Sequence, residues 1–271
     1  MKTRILSAAV ALPLFLLVLL VCPLWATTVL TAAMAVLAAR ELLLTAKLAE
    51  HKRMFLWSSL TAVAVVVWSG FGCPKLWGMA IVWIYCTAAF CELLAAHTEF
   101  AFPKLCVCAF AALAVPYFLA AIVRILHMEY GRYLVLLIFV LAFTSDSGAY
   151  FVGRAMGKHK LAPVISPKKT VEGFVGGIVS CVLCTLLYGF ILWKGFGFSV
   201  NWWASALVGA VGSLGSVLGD LTFSVIKRQC GIKDYGNVLP GHGGILDRFD
   251  STIVTAPLTE LALLTLPMIW K

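Results

Sequence analysis

Long apolar runs separated by short polar loops dominate this chain. About 20 helical residues cross the roughly 30 Å hydrocarbon core of a bilayer, which is close to the length of these runs. The runs are continuous and do not alternate as barrel strands do, so they indicate helices. The pattern predicts an all-α, polytopic integral membrane protein with about nine transmembrane helices. The predicted helices cover residues 5–22, 26–46, 54–72, 76–96, 103–124, 133–152, 171–193, 202–226 and 251–270.

Composition supports a membrane protein. Of the 271 residues, 62% are hydrophobic and the mean hydropathy is +0.99, whereas soluble domains have about 45–50% apolar residues. The first run follows Lys2 and Arg4, as in a signal peptide. Its apolar part exceeds the usual length of about 7–15 residues and no A-x-A site follows, so we expect a retained helix.

The basic residues alternate between the two predicted sides of the membrane. Fifteen of the 21 Lys and Arg residues lie in loops on one side and five on the other, so the positive-inside rule makes the first side cytoplasmic. We therefore expect a multi-pass protein of the cell (inner) membrane. The pI of about 9.2 does not indicate nucleic-acid binding, because loop topology and anionic lipid headgroups account for the basic residues.

The two halves of the chain differ in polar content. Residues 1–130 are interpreted as transmembrane scaffold helices, in which Arg40 and Glu41 are expected to snorkel or to form a local ion pair. Residues 131–271 contain two long polar segments and are interpreted as the catalytic transmembrane domain. The chain shows no internal repeat, which argues against a transporter built from two related halves.

The first polar segment extends from Thr144 to Gly173. Asp146 lies near its start, and five basic residues follow among glycines and prolines. Glycine turns let backbone N–H groups approach phosphate, while Ser166 and Thr170 add hydroxyl groups. A solvated basic loop would explain the lysines alone, including Lys169. The neighbouring acidic and hydroxyl groups favour a site.

The second segment follows a stripe of glycines, among which Gly215 and Gly219 have the spacing for close helix packing. Asp220 ends this stripe, and Asp247 and Asp250 are three residues apart further on. Three carboxylates suit a hard cation such as Mg²⁺, although Asp250 could instead cap the ninth helix. His242 is expected to contact phosphate or to shape its glycine-rich turn, because a Zn²⁺ site would need more His or Cys. Carboxylates, basic groups and glycine turns together are typical of phosphoryl or nucleotidyl transfer.

Two sequence patterns resemble those of a known enzyme family. The pattern S-x-I-K-R-x4-K-D-x-G-x2-L-P-x-H-G-G-I-x-D-R-F-D runs from Ser224 to Asp250. The pattern D-S-G-A-Y-F-x-G-R-x-x-G-K-H-K-L-x-P-x-I-S-P-x-K-T-x-E-G runs from Asp146 to Gly173. Both resemble the CDP-diacylglycerol synthases, or phosphatidate cytidylyltransferases. A motif this long with many fixed polar positions is far more specific than a short one.

The resemblance implies transfer of CMP from CTP to phosphatidate, with release of pyrophosphate and a requirement for Mg²⁺. It implies that Asp220, Asp247 and Asp250 are metal-binding carboxylates. It also implies a homodimer and a monovalent cation such as K⁺. The residues expected to bind the triphosphate and the phosphatidate headgroup or to complete the site are Asp146, Ser166, Lys169, Thr170, Ser224, Lys227, Arg228, Lys233, His242 and Arg248.

Two other functions fit less well. A transporter could use Asp146 and Asp220 as ion-coupling carboxylates, but the charged residues lie in long loops and paired halves are missing. A CDP-alcohol phosphotransferase would share the metal chemistry, but its D-G-x2-A-R…G-x3-D-x3-D pattern is absent from the sequence.

Overall fold

Nine helices form the part of the chain that the structure describes. This computed structural model describes residues 2–238 and 243–271, with side chains from residue 11 onward. The nine helices are α1 Lys2–Leu20, α2 Leu24–Thr45, α3 Lys52–Gly70, α4 Lys75–Ala95, α5 Phe102–Leu126, α6 Gly131–Met156, α7 Val171–Phe196, α8 Trp202–Gln229 and α9 Leu246–Thr265.

The observed helices confirm the predicted all-α, polytopic class. Seven of them, α2 to α8, are long and apolar enough to cross a membrane, and α1 has a shorter apolar stretch at Ala11–Leu20. The ninth helix, α9, is not among the seven, since it carries four charged residues. It also begins five residues before its predicted start, so Asp250 lies inside the helix. The alternative that Asp250 caps this helix is therefore wrong.

Two short antiparallel ribbons accompany the helices. Strands β1 (Lys160–Ala162) and β2 (Ser166–Thr170) form a hairpin in the predicted first polar loop. Strand β3 (Ser199–Val200), between α7 and α8, pairs with strand β4 (Ile269–Trp270) at the end of the chain. The sequence did not indicate either ribbon, because strands of two to five residues are too short to show a period-two pattern.

The chain divides into two compact units. Unit 1 contains Met1–Glu129 and Gln229–Phe249, and unit 2 contains Tyr130–Arg228 and Asp250–Lys271. The boundary predicted at residue 130 puts residues 229–249 in the C-terminal half, whereas in the structure they belong to unit 1 with the N-terminal helices. Which unit is catalytic stays a prediction.

Unit 1 has a core of small residues, including the fully buried Ala38, Ala62 and Ala111. Small side chains let helices approach closely where lipid offers no hydrophobic driving force. Helix α5 contains a π-helical turn at Phe110–Ala114, which ends two residues before Pro116. Proline lacks the N–H that a regular helix needs, and π-turns commonly accommodate such interruptions.

The surface of α4 is apolar and exposed. Leu76, Trp77, Trp83 and Leu94 each have more than 60% of their surface accessible. A large exposed apolar surface on a helix of this length is typical of contact with lipid.

Unit 2 is packed through glycines. In α7, a Cβ at position 173 would lie 2.6 Å from the Ala149 carbonyl oxygen of α6, and one at position 177 would lie 3.0 Å from the Ser145 oxygen. In α8, a Cβ at Gly209 would lie 2.8 Å from the Cα of Val182 in α7. The backbones of α6, α7 and α8 therefore approach closely where these glycines lie.

Candidate functional site

The β1–β2 hairpin is anchored to the start of α7. Thr170 is the N-cap of that helix, and its Oγ1 accepts a hydrogen bond from the Gly173 N–H at 3.1 Å. Glu172 accepts the N–H groups of Lys158 (3.0 Å) and His159 (3.2 Å) and contacts the His159 Nδ1 at 2.6 Å. These contacts close the base of the hairpin, so the side chains of β2 have fixed positions relative to α7.

Lys169, on β2, forms an ion pair with Asp220 of α8. Its Nζ contacts Asp220 Oδ2, and both side chains are about one-quarter exposed (25% and 24%). Asp220 Oδ1 also accepts a hydrogen bond from Ser224 Oγ at 3.1 Å, one helical turn along α8. The structure thus brings Lys169 of the first polar segment together with Asp220 and Ser224, which lie much later in the sequence, on α8.

Two further carboxylates lie near this ion pair. Asp250 of α9 is close enough to Asp220 and Lys227 to respond to their charges. Asp146 of α6 also lies in the neighbourhood of Asp220, Lys169 and Ser251. We call Asp146, Asp220 and Asp250 the carboxylate cluster. Burial, together with the negative charge of Asp220, raises the pKa of the Asp250 carboxyl to about 7.

Glycines of α8 allow α9 to approach the cluster. A Cβ on Gly219 would lie 2.5 Å from the Asp250 carbonyl oxygen and 3.1 Å from the Ser251 Cα. One turn earlier, a Cβ on Gly215 would lie 3.1 Å from the Thr255 Cα. The predicted role of the glycine stripe in close packing is confirmed. The backbone of Asp250 lies against Gly219, the residue that precedes Asp220.

The cluster has the chemistry of a magnesium site. Within the described ranges, no three His, Cys, Asp or Glu side chains are already arranged to hold a metal ion. Mg²⁺, however, commonly takes one or two carboxylates, with waters and substrate phosphates completing its shell. The mutual repulsion of the cluster carboxylates would be relieved by a bound cation. These residues therefore fit Mg²⁺ by ligand type, with Lys169 as the local positive charge.

Asp247 belongs to unit 1, where it organises the chain before α9. Its Oδ2 accepts the N–H of Tyr235 at 2.8 Å and of Gly244 at 3.0 Å. Gly243 has φ +85° and a Cβ there would lie 2.9 Å from the same oxygen. Glycine is therefore required at this turn. The predicted metal-binding role of Asp247 stays a prediction beside this structural one.

Glu41 has a structural role that the sequence did not predict. This side chain of α2 is only 3% exposed. Its Oε1 accepts the Ile245 N–H and its Oε2 the Leu246 N–H, both at 2.8 Å. The expected snorkelling or local ion pair with Arg40 was therefore wrong for Glu41.

The Glu41 carboxylate lies at the start of α9, where a negative charge is favourable. The first N–H groups of a helix have no partners inside the helix, and the helix dipole makes this end positive. A negative charge at that point contributes about 0.3–1 kcal/mol, and up to about 2 kcal/mol when partly buried. An acidic residue inside an apolar run was the available signal for Glu41, but the sequence does not show which groups it contacts.

The remaining predicted site residues have the following positions. Ser166 begins β2, opposite Ala162. Lys227 and Arg228 lie in the last turn of α8, in unit 2. Lys233 is exposed in unit 1, and Arg248 lies in the first turn of α9. His242 lies outside the described residues. The predicted binding roles of these residues stay predictions.

The fold and the cluster define a polytopic membrane protein with a carboxylate and lysine site of the kind that phosphoryl and nucleotidyl transfer need. A sequence model of the cytidylyltransferase family matches residues 2–266. The chain therefore belongs to the cytidylyltransferase family.

Curated relatives from staphylococci share about half of the chain. The proteins from Staphylococcus haemolyticus and Staphylococcus aureus are each 46% identical over 134 residues, and that from Staphylococcus epidermidis is 48% identical over 134 residues. All three are named phosphatidate cytidylyltransferase. Each match covers 49% of this chain and 50% of the relative, so the chain spans about half the length of the curated relatives it matches.

Proposed function

We propose that this protein is a phosphatidate cytidylyltransferase, which transfers CMP from CTP to phosphatidate and yields CDP-diacylglycerol and pyrophosphate. The observation that carries the proposal is the Lys169–Asp220 contact beside Asp250 and Asp146. In unit 2 it brings Lys169 of the first motif close to Asp250, the last residue of the second motif. The names of the staphylococcal relatives support the same reaction.

The proposed reaction is an in-line displacement at the CTP α-phosphorus. A phosphatidate phosphate oxygen forms the new P–O bond, and the bond from the α-phosphorus to the bridging oxygen breaks, so pyrophosphate leaves with the electron pair. The phosphatidate oxygen is already anionic near neutral pH, so a strong general base is not required. The chain's task is then to hold two anionic substrates together and to neutralise the charge of the leaving group.

Basic residues near both motifs suit that task. Lys169, fixed by the hairpin, and Lys227, at the end of α8, would bind phosphate oxygens in unit 2. Arg228, Lys233 and Arg248 supply further positive charge for the triphosphate or the phosphatidate headgroup. The carboxylate cluster would repel these anions by itself, which is why its function depends on a cation.

Magnesium is the proposed cofactor, held by Asp220 and Asp250 with Asp146 beside them. When bound, it would neutralise charge on the phosphate oxygens. Asp247 is proposed as a further ligand on the basis of the resemblance. The resemblance also supports a monovalent cation such as K⁺, whose effect can be measured by comparing turnover in KCl and NaCl.

We place the reaction at the cytoplasmic face of a bacterial cell membrane. The bias of basic residues toward one predicted side supports this orientation, and the bacterial relatives support the type of membrane. Labelling of single-cysteine variants in sealed vesicles tests the orientation, with Cys230 expected on the cytoplasmic side and Cys73 on the opposite side. A homodimer is proposed from the resemblance, and light scattering in detergent measures it.

The decisive experiment uses the purified full chain in detergent with phosphatidate and radiolabelled CTP. We expect label in the lipid fraction and equimolar pyrophosphate, both lost when EDTA removes Mg²⁺. Asp220→Asn should lower turnover by about a hundredfold or more, the usual scale for losing charge stabilisation. The exposed carboxylate variant Glu129→Gln should behave as the wild type. A wild-type protein that forms no labelled lipid would refute the proposal.

A further inference from the structure

Glu41 connects the predicted scaffold to the segment that carries the second motif. Both of its carboxylate oxygens are used, one on the Ile245 N–H and one on the Leu246 N–H, each at 2.8 Å. Hydrogen bonds to a charged, buried acceptor are the stronger kind. A carboxylate this deeply buried in an apolar helix would be costly without them. The contact therefore fixes the start of α9 against α2.

The position of Glu41 explains why the motif has glycine at positions 236 and 244. A Cβ on Gly244 would lie 2.5 Å from both carboxylate oxygens, and one on Gly236 would lie 3.0 Å from Oε1. The carboxylate is held from two sides and buried, so it cannot move away without losing its hydrogen bonds. The motif contains glycine at these positions because a side chain some 200 residues earlier occupies the space.

The residues that follow this contact are the ones that the proposed reaction uses. Asp247 and Arg248 are in the first turn of α9, directly after Leu246. Asp247 in turn holds the Tyr235 and Gly244 N–H groups. A shift at Ile245 and Leu246 would therefore displace Asp247 and Arg248 together. Misplacement by about 1 Å can cost about a hundredfold in rate.

We propose that Glu41 is a positioning residue for cytidylyl transfer, which acts by fixing the start of α9 and with it Asp247 and Arg248. The inference rests on the proposed function for its kinetic consequence. The contact itself can be measured without any activity. In this proposal α2, a helix of the predicted scaffold, sets the positions of Asp247 and Arg248 within unit 1.

The first test replaces Glu41 by Gln, which keeps the size of the side chain and one acceptor oxygen. We expect kcat to fall by about ten- to a hundredfold, and Glu41→Ala to be the more severely affected. Hydrogen exchange at the Ile245 and Leu246 amides should rise by about tenfold or more, while the other helices keep their protection. Glu92→Gln is the matched control, because Glu92 is a carboxylate of the same unit that contacts the exposed Arg53.

The second test is a double-mutant cycle with Gly244→Ala. The added methyl should reproduce the loss of kcat seen in Glu41→Gln, because it displaces the carboxylate. In the Glu41→Ala background, Gly244→Ala should cost much less, since the obstructing oxygens are gone. Strictly additive losses would contradict the inference.

Every outcome of the Glu41→Gln test either supports or contradicts a positioning role for Glu41. Wild-type kcat in Glu41→Gln would overturn the proposal, as would a lower kcat with unchanged exchange at residues 245 and 246. Faster exchange throughout all helices would also overturn it, in favour of a general role in stability. If the wild type shows no cytidylyl transfer, the proposed function fails, whereas local exchange at residues 245 and 246 still reports on the Glu41 contact.

Discussion

Gly219→Ala tests how closely α9 must approach α8 beside the carboxylate cluster. The added Cβ would lie 2.5 Å from the Asp250 carbonyl oxygen, 3.1 Å from the Ser251 Cα and 3.2 Å from the Ser251 oxygen. All three are backbone atoms, so no side chain can rotate away. Cβ contacts below 3.0 Å are essentially never found, and α9 must move by about half an ångström to relieve this one.

The expected magnitude follows from two opposing effects. Overpacking of this kind costs about 1–3 kcal/mol, whereas replacing a helical glycine by alanine contributes about 0.5–1 kcal/mol of stability. The two ranges leave a net fall in the free energy of unfolding of between about 0 and 2.5 kcal/mol, with a central value of about 1 kcal/mol. Because the same shift moves Asp250 away from Asp220, turnover should fall by about tenfold or more.

The assay pairs thermal unfolding in detergent with CTP-dependent labelling of phosphatidate. Gly195→Ala is the matched control, since Gly195 also lies in a helix and a Cβ there meets nothing within 4 Å. The control should be as stable as the wild type or slightly more stable, with full turnover. If Gly219→Ala matched Gly195→Ala in both measurements, the close approach of α8 and α9 would have no functional importance.

Two other predictions concern the hairpin. Lys169→Met removes the lysine ammonium group that pairs with Asp220 and should lower turnover by about ten- to a hundredfold. Lys168→Met, at the exposed neighbouring position, should have little effect. Equal losses of turnover in the two variants would contradict a specific role for the ion pair. Thr170→Ala removes the N-cap of α7 and should lower the free energy of unfolding by about 1 kcal/mol, with Thr170→Ser restoring it. Lost turnover in the Ser variant despite restored stability would instead favour direct substrate binding by Thr170.

The helices were predictable because each one corresponds to a continuous apolar run, which is a local feature of the sequence. Each of the nine predicted ranges overlaps an observed helix, with ends that differ by up to five residues. The largest difference is in α9, whose first turn contains Asp247 and Arg248. Apolar periodicity cannot place a helix start among charged residues. A Glu41 carboxylate that satisfies the first N–H groups explains how the helix begins there.

The site was predictable in its residues more than in its contacts. The Lys169–Asp220 pair joins residues from both predicted segments, and the glycine stripe packs as expected. The sequence could not show that Thr170 and Asp247 bind backbone N–H groups, because such contacts depend on loop geometry. Glu41 was missed for the same reason, since its partners lie 204 and 205 residues away.

The long separation in sequence between Glu41 and its partners Ile245 and Leu246 has a consequence for biogenesis. Chains are synthesised at about 5–20 residues per second, so about 10–40 s pass between translation of Glu41 and translation of Ile245 and Leu246. During that interval α2 must wait in the membrane with a carboxylate that has none of its final partners, either protonated or in contact with water. The first unit therefore completes its fold only after the ribosome has passed residue 246. Insertion of the early helices and completion of their packing are thus separate events in time.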